Sequence, residues 1–358
     1  MKNRINQLCE DIFTYLCRVQ DFTPGEYYGA FWSEKAYHAP LLDWHGGGAH
    51  HHRGAGSAAL ALFLSDIPEH QRRAELAFDW LVSRQDPRGG WFETQNCEKS
   101  SDWEYTGLEE LSNIETAFAV RGLALALRHG LTPKKSYLDA MKKAGLWYIA
   151  LEAPTLSGVF PHHERSPYDT LNATMHAVEA LAAIYSACQN KYHIRINIFL
   201  AAAQRGLRHL AGQQSSDGSF PYRSSGGITI NYTALVTWLL LNTRDILPPE
   251  LLGLEPGRVE SLAHKAADFL CQTVLPDGSF EWEPYETSCA KHNIWTYVIC
   301  WNVLQRLQRK TEADQLLQKL FKLRSPSGLL PMRDCDEEIT ECAYMQADIL
   351  LFLLPFSK

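Results

Sequence analysis

The hydrophobic residues of the chain fall into helical tracts of two alternating kinds. In tracts such as AELAFDWLVSRQ, apolar residues recur at three- and four-residue steps, which is typical of a helix with one buried face. Tracts such as TAFAVRGLALAL are apolar nearly all round, so a helix formed there must be buried on most of its sides. The pattern therefore predicts outer helices that alternate with inner helices. The outer tracts span about residues 3–19, 74–85, 136–151, 195–214, 258–274 and 311–323, and the inner tracts span about residues 54–65, 114–129, 171–188, 229–243, 291–309 and 340–354.

A short turn that begins with glycine separates each outer tract from the next inner tract. The segment Asp217–Phe220 recurs unchanged at Asp277–Phe280. Related turns occur at residues 89–91, 158–160 and 328–330, and a degenerate version, Gly25-Glu26-Tyr27, lies near the start. Six outer–inner pairs need their neighbours to cover their apolar faces, and closing the array removes its two uncovered ends. We therefore predict an all-α fold, an (α/α)6 toroid that forms a single domain over residues 1–358, with an open solenoid as the alternative.

Two of these turns carry a fuller motif. The segments Gln85–Trp91 and Gln214–Phe220 fit the pattern Gln-x-x-x-Gly-x-Trp/Phe, which resembles the turns of the terpenoid cyclase and protein prenyltransferase toroids. Gly-Gly-Trp turns are also similar to those of glycan-active toroids and thioester-containing domains. The other four turns lack the glutamine, and the chain contains neither the thioester segment Gly-Cys-Gly-Glu-Gln nor the Cys, Cys-His zinc set of lanthionine cyclases. The resemblance covers the whole chain, and it implies the fold rather than the activity.

The composition restricts the partners. The formal net charge is -7, and no basic run interleaved with aromatic residues occurs, which excludes nucleic acid as a partner. The longest apolar stretches, Ala55–Leu64 and Ile349–Phe356, are too short to span a bilayer. The N-terminal apolar run is interrupted by charged residues, whereas the apolar region of a signal peptide is continuous. We predict a cytoplasmic protein whose nine cysteines are reduced, and the sequence leaves its oligomeric state open.

The polar segments that lead into the inner helices form the candidate site. Up–down packing places the N-terminal ends of all six inner helices on one face, where each end carries unpaired N–H groups and a partial positive charge. A ring of such ends favours an anionic ligand near the axis. Histidines there can act as acid or base near neutral pH, and carboxylates can partner them. The candidate catalytic residues are His45, His51, His163, His176, Asp169, Glu115 and Glu286.

Cationic and aromatic residues of the same segments complete the candidate site. Arginines can clamp an anion, and flat aromatic faces stack on sugar rings. The candidate binding residues are Arg53, Arg165, Arg223, Trp44, Trp103, Tyr222, Trp282, Tyr285, His292 and Asp336. The sequence therefore favours an enzyme that acts by acid/base chemistry on a small-molecule or glycan substrate of anionic, carbohydrate-like character. Lyase, epimerase and hydrolase chemistry all stay open.

Two other functions fit the same fold. An isoprenoid cyclase or prenyl-transferring enzyme would have an aromatic, largely apolar cavity, with residues such as Trp91, Phe220 and Trp295 pointing inward. The segment Asp334–Glu337 is similar to the Asp-x-Asp-Asp acid of class II terpene cyclases, but it departs from that motif at the fourth position. A non-catalytic toroid that binds a peptide or a partner on its rim would have no converging titratable groups.

The sequence predicts no cofactor. It contains neither a phosphate-binding Gly-rich loop with Lys-Ser/Thr nor a dinucleotide fingerprint. The zinc pattern of the prenyltransferases is not reproduced by Cys289, His292, Glu341 and Cys342, although histidine with thiolate or carboxylate can also form a zinc site. Polar residues at these places have a structural interpretation as well, because asparagines such as Asn113 at inner-helix starts are first of all N-caps.

Overall fold

Twelve α-helices are present in the part of the chain that the computed structural model describes, namely residues 2–32, 51–92, 110–155, 157–166, 168–189, 197–224, 226–286, 291–335 and 342–357. The outer helices are α1 (Lys2–Val19), α3 (Pro68–Ser83), α5 (Lys135–Leu151), α7 (Asn197–Ala211), α9 (Arg258–Thr273) and α11 (Lys310–Lys322). The inner helices are α2 (His52–Phe63), α4 (Asn113–Arg128), α6 (Leu171–Cys188), α8 (Ile230–Ile246), α10 (Ile294–Arg306) and α12 (Ala343–Leu353). Two short strands, β1 (Trp91–Phe92) and β2 (Leu111–Ser112), pair antiparallel. The helices predicted from the sequence are confirmed.

The inner helices form a closed ring. Each packs against the inner helices before and after it in the sequence, and α12 packs against α2. Each outer helix from α3 to α11 packs against the inner helix that precedes it, and α1 covers α12. The first helix of the chain therefore closes the ring with the last one. The fold is an all-α toroid as predicted, and an open solenoid is excluded.

Burial explains the two kinds of helical tract. Every residue of α6 from Leu171 to Tyr185 is buried, because inner helices are covered on all sides. In the outer helix α1 the buried residues repeat on one face: Ile5, Leu8, Cys9, Ile12, Tyr15 and Leu16. Glycines let the inner helices approach closely, since a Cβ at Gly122 of α4 would lie 2.5 Å from the carbonyl oxygen of Gly56 in α2.

The glycine turns dock against the outer layer. The six glycines Gly29, Gly89, Gly158, Gly218, Gly278 and Gly328 have φ angles between 82° and 113°, and a Cβ at each would lie 2.2–2.7 Å from an atom of another outer helix. A Cβ at Gly25 would meet nothing within 4 Å. The first turn is therefore Gly29-Ala30-Phe31, and the assignment to Gly25-Glu26-Tyr27 is wrong. The defining property of these glycines is a tertiary contact, which the local sequence does not show.

The third residue of the turn is anchored to the next inner helix by a threonine. Backbone N–H groups donate to threonine Oγ1 atoms in three successive repeats: Trp91 to Thr116 (2.9 Å), Phe160 to Thr174 (3.1 Å) and Phe220 to Thr233 (3.0 Å). These bonds fix where each inner helix begins relative to the outer layer.

The glutamine of the fuller motif also has a structural role. The Gln214 side-chain amide donates to the carbonyl of Gly218 (3.0 Å) and to that of Leu262 in α9 (2.8 Å), and Gln85 makes the equivalent pair of bonds. The motif that carries the resemblance therefore builds the fold and not the site. None of the described helices is both long and apolar enough to cross a membrane, and the seven described cysteines form no disulfide.

Candidate active site

The described parts of the loops before α6, α8 and α12 each contact the start of the preceding inner helix. The backbone N–H of Asn113, at the start of α4, donates to the carbonyl of His162 in the loop that leads to α6 (2.7 Å). Leu171, at the start of α6, donates likewise to Tyr222 in the loop that leads to α8 (3.1 Å), and an equivalent bond of 3.0 Å joins the start of α10 to the loop before α12. Each bond joins one inner-helix start to the loop before the next, so the N-terminal ends of these helices lie side by side.

Arg53, in the first turn of α2, reaches toward the axis of the ring. Its guanidinium carbon lies 4.6 Å from the ring centre of Phe118 in α4, 5.3 Å from that of Trp295 in α10 and 4.9 Å from that of Tyr344 in α12. Helix α10 is not a neighbour of α2 in the ring, so this contact crosses the interior. Aromatic faces attract a guanidinium at these distances. The guanidinium of Arg53 is therefore surrounded by aromatic side chains at the rim of the barrel.

The charge of Arg53 is paired with Asp348 of α12. Arg53 Nη2 donates to Asp348 Oδ2 at 2.7 Å, and the Ser57 hydroxyl donates to Oδ1 at 2.5 Å. The Arg53 side chain is 15% exposed and that of Asp348 is 2% exposed. Burial by itself would lower the pKa of Arg53, but Asp348, with smaller contributions from Tyr344 and Glu115, raises the pKa above its ordinary value. Arg53 is thus a permanent cation that solvent still reaches.

His176 of α6 lies against the same phenyl ring as Arg53. The ring centres of His176 and Phe118 are 5.0 Å apart, and the buried Nδ1 of His176 has no hydrogen-bond partner among the described residues. Burial, with the positive charges of Arg53 and Arg121, holds the pKa of His176 well below its ordinary value. The imidazole is therefore neutral near pH 7 and can accept a proton.

Asn172 lies one turn before His176 on the same face of α6. Its side chain is 7% exposed, and within the described part of the chain its buried amide oxygen has no hydrogen-bond partner. A buried polar atom without a partner costs about 1–3 kcal/mol. Two such atoms on one helical face mark a place where the hydroxyl groups of a ligand can form the missing bonds.

A second buried imidazole lies in the loop before α6. The Tyr222 hydroxyl is 3.5 Å from His162 Nε2, and the Tyr222 ring stacks on Tyr232 with 4.3 Å between ring centres. Burial, with the charges of His163 and Arg223, lowers the pKa of His162 to about 3. His162 also contributes to the lowered pKa of His176. The two neutral imidazoles thus belong to one electrostatic environment.

Two of the predicted catalytic carboxylates cap inner helices. Glu115 Oε2 accepts the backbone N–H of Arg53 in the first turn of α2 (2.5 Å), and Glu286 Oε2 accepts that of Asn231 in the first turn of α8 (3.0 Å). Both carboxylates are buried, and their charge complements the helix dipole. These contacts give Glu115 and Glu286 a structural role, while a catalytic role stays a prediction.

His163 and Arg165 share a different partner. His163 Nδ1 lies 2.5 Å from Glu110 Oε2, and Arg165 Nη1 lies 3.2 Å from the other oxygen of that carboxylate. The Arg165 side chain is 81% exposed. The described contacts of this group do not include Arg53 or His176.

Asp169 and Arg223 lie in the loops that lead to α6 and α8. Asp169 accepts a hydrogen bond from the Ser224 hydroxyl, and the Arg223 guanidinium lies 4.1 Å from the ring centre of the half-exposed Tyr168. The residues around Arg53, namely Phe118, Trp295, Tyr344 and Asp348, together with His176 form the central group. Arg223 is linked to the central group because its charge contributes to the lowered pKa of His162. Asp169 has no described contact with that group.

Three predicted binding residues surround the start of α10. The rings of Trp282 and His292 are 5.6 Å apart, and His292 Nδ1 lies 2.7 Å from Asp334 Oδ1. Tyr285 packs on Phe269 of the outer helix α9. Trp282, His292 and Asp334 thus form a second group, and Tyr285 has no described contact with it.

His51 borders the central group, because it precedes α2 as the N-cap residue and its ring lies 5.8 Å from that of Tyr344. The described contacts do not join His51, His163 and His292 to one another. His45, Trp44, Trp103 and Asp336 lie outside the described residues.

The central group contains residues that were not selected from the sequence as site residues. Phe118, Tyr344 and Asp348 contact Arg53 directly, and one turn deeper Arg121 pairs with Glu179 at 3.2 Å. A signal was present, because Asp348, Arg121 and Glu179 are charged residues inside tracts that are otherwise apolar. A charge in a helix buried on all sides needs a partner or a ligand.

Comparisons with known proteins show what the fold resembles. No family model and no curated protein matches the sequence. The structure is similar to that of cellobiose 2-epimerase from Bacillus thermoamylovorans B4167, with a TM-score of 0.72 and 13% identity over 99% of this chain and 100% of that chain. It is also similar to a D-mannose isomerase (TM-score 0.68, 16% identity, 100% of this chain and 97% of that chain). A third similar structure is a type II terpene cyclase from Scytonema in complex with merosterolic acid A (TM-score 0.57, 14% identity, 99% of each chain). The protein has the α/α-toroid fold that these enzymes share, and at such identities the likeness shows the fold alone.

Proposed function

We propose that the protein is a carbohydrate-active enzyme, an epimerase or isomerase that moves a proton on the carbon beside the carbonyl group of a sugar. His176 would act as the base, and Arg53 would stabilise the negative charge that develops on the carbonyl oxygen. The observation that carries the proposal is the pairing of a neutral, buried imidazole with a guanidinium against the single ring of Phe118.

The environment of each group suits its role. A base must be unprotonated at the working pH, and the lowered pKa of His176 keeps the imidazole neutral. It must also be basic enough to hold the proton that it takes up, and the negative charge that develops on the substrate would raise its pKa during the reaction. A charged donor fixed in advance near a developing oxyanion lowers the barrier to reaction without reorganisation. Asp348 and the aromatic residues around Arg53 hold the guanidinium in place, and Asn172 offers an amide for a sugar hydroxyl.

Hydrolysis has less support from the described residues. Most glycosidases place two carboxyl groups about 5–9.5 Å apart on either side of the bond to be cleaved. Three buried carboxylates of the inner-helix ends and loops are each bonded within the protein: Asp348 to Arg53 and Ser57, Glu115 to the start of α2, and Glu286 to the start of α8. The similar structures include a cellobiose 2-epimerase and a D-mannose isomerase, which supports a sugar as the substrate. They also include a glycosidase in complex with glucose, so they do not decide between the two reactions.

The isoprenoid alternative is also less well supported. Trp91, which that hypothesis places inward, donates its indole N–H to the carbonyl of Leu81 in α3 and so faces the outer layer. Trp295 lies at the axis, but over the paired cation Arg53 rather than in an oily pocket. An anionic substrate stays a prediction, since Asp348 already neutralises Arg53.

Solvent isotope exchange tests the proposed function. The protein is incubated in D2O with mannose, cellobiose and glucuronate, a panel of two neutral sugars and one anionic sugar, and deuterium on C2 is measured by mass spectrometry. We expect exchange with at least one sugar, and a His176→Asn variant should lose it by about 100-fold or more. His264→Asn, the same change on the exposed face of the outer helix α9, should exchange at the normal rate. Undiminished exchange in His176→Asn, or hydrolysis of glycosides without exchange, would contradict the proposal.

A further inference from the structure

The rim beside α10 holds a cluster of three potential metal ligands that the central group does not use. A ring nitrogen of His292, a carboxylate oxygen of Asp334 and Cys335 Sγ all lie within 4.8 Å of one another. The cluster joins the loop before α10 to the loop before α12, so its residues are about forty positions apart in the sequence and meet only in the folded chain. The described contacts of the cluster include neither Arg53 nor His176.

The backbone holds these ligands in register. Asn293 and Arg333 form an antiparallel bridge, and on either side of it Asp334 N–H donates to the His292 carbonyl (2.9 Å) and Ile294 N–H donates to the Met332 carbonyl (3.0 Å). His292 itself has a φ of 64°. A non-glycine residue adopts this left-handed conformation at an energetic cost, and such residues concentrate at functional sites.

The surroundings orient the ligands as a metal site requires. Asp334 accepts hydrogen bonds from His292 on one oxygen and from the Tyr297 hydroxyl on the other. The carboxylate is nearly buried, whereas the His292 side chain is 42% exposed and Cys335 is exposed, so an ion can enter from solvent. Hydrogen bonds that hold a ligating carboxylate in one orientation are a usual feature of metal sites.

We propose that His292, Asp334 and Cys335 form a binding site for a divalent metal ion of the zinc type. Nitrogen, carboxylate oxygen and thiolate sulfur are the ligands that zinc takes, with bonds of about 2.0–2.3 Å, which place ligand atoms about 3.3–3.8 Å apart in a tetrahedron. The three atoms already lie within 4.8 Å of one another, so small side-chain movements would bring them to these distances. Binding releases the thiol proton of Cys335 to solvent, together with any proton on the ligating nitrogen of His292. Three protein ligands leave a fourth position for water or a substrate oxygen.

Cobalt titration tests the site. The full-length protein is treated with chelator, dialysed and titrated with Co²⁺, which takes the same ligands as zinc and gives a thiolate-to-metal charge-transfer band. We expect this band to saturate at one equivalent and to disappear when Zn²⁺ is added. Cys335→Ser should abolish the band, and His292→Asn should weaken binding. Cys271→Ser, which removes a partly exposed thiol of the outer helix α9, should leave the titration unchanged.

A conservative variant separates the site from general effects on folding. Tyr297→Phe removes only the hydroxyl that orients Asp334, and it should lower cobalt affinity by about 10–100-fold while circular dichroism stays unchanged. Three results would overturn the proposal. The wild-type protein could show no thiolate band, the band could persist in Cys335→Ser, or it could be lost in Cys289→Ser instead. The outcome does not depend on the sugar assay, so the two proposals can fail separately.

Discussion

Buried charges of the inner ring are neutralised across helix boundaries. Arg53 of α2 pairs with Asp348 of α12, and Arg121 of α4 pairs with Glu179 of α6, whose second oxygen accepts a hydrogen bond from Asn242 of α8. Removing one partner of such a pair leaves a buried charge uncompensated, which costs about 3–5 kcal/mol. The pairs join helices that are neighbours in the ring, so a misplaced helix would leave its charge without a partner.

Three buried histidines make the stability of the protein depend on pH. Burial lowers the pKa of His52 to about 4 and that of His162 to about 3, and it holds the pKa of His176 well below its ordinary value. Each histidine has a lower pKa in the folded state than in the unfolded state, so it takes up a proton only on unfolding, and acid favours the unfolded state. Between pH 7.5 and 5.5 the free energy of unfolding should therefore fall by about 1.4 kcal/mol for each, or about 4 kcal/mol in total. Urea unfolding at the two pH values measures this loss.

Two variants test whether the buried histidines cause this loss of stability at lower pH. His162→Asn removes one of the protons taken up on unfolding, so the loss between pH 7.5 and 5.5 should be smaller by about 1.4 kcal/mol, whatever the variant does to stability at pH 7.5. The exposed His264 serves as the control, and His264→Asn should leave the pH dependence as it is. A free energy of unfolding that is flat over this range would show that the imidazoles are protonated in the folded protein.

At the scale of elements, one device is repeated around the ring. A glycine with positive φ docks on an outer helix, and in three repeats a threonine of the next inner helix binds the residue two positions later. In these three repeats the device sets the height of the inner helices α4, α6 and α8 and thereby brings their N-terminal ends to one rim.

Gly218 provides the test of this device. A Cβ in Gly218→Ala would lie 2.2 Å from the Lys265 carbonyl oxygen at a φ of 95°, so we expect the free energy of unfolding to fall by about 3 kcal/mol from strain and overlap together. Gly130 has a φ of 105° with nothing within 4 Å of the added atom, so Gly130→Ala should cost only about 1 kcal/mol. Chemical denaturation of both variants measures the difference. If both variants lose the same free energy of unfolding, the close approach of Gly218 to Lys265 adds nothing to the cost of a positive φ.

At the scale of the whole molecule, ring closure ties the two ends of the chain together. Helix α1 covers α12, and Arg324, which follows α11, donates a hydrogen bond to Asp11 of α1. A terminal helix of an open array can fray by itself, whereas one that closes a ring is released only when the ring opens.

Hydrogen exchange measures this closure. The backbone amides in the middle of α1 should be protected to about the same degree as those of α7, which lies in the interior of the sequence. Leu16→Ala, which removes a fully buried side chain of α1, should lower the protection of both helices because the ring unfolds as a unit. Much faster exchange in α1 than in α7 would indicate that the first helix opens alone.

The periodicity of the sequence was sufficient to predict the helices and their closure into a toroid, because burial on one side or on all sides leaves a direct trace in the spacing of apolar residues. The sequence pointed to only some of the residues that form the candidate site. Arg53, His176 and Tyr222 were selected because they precede or begin inner helices, but Asp348 and Phe118 lie deeper in apolar tracts. His163 and His292 were selected on the same grounds as His176, and the structure gives them other partners.

What this sequence determines by itself is which residues are buried and how often the pattern repeats, since both depend on neighbours within one or two helical turns. Which charges meet is decided by the tertiary structure alone. Arg53 and Asp348 are 295 positions apart, and His292 and Asp334 are 42 positions apart. Their pairing depends on the order and height of helices around a closed ring, because the candidate site requires α2 to pack against α12 and the proposed metal site requires α10 to pack against α12.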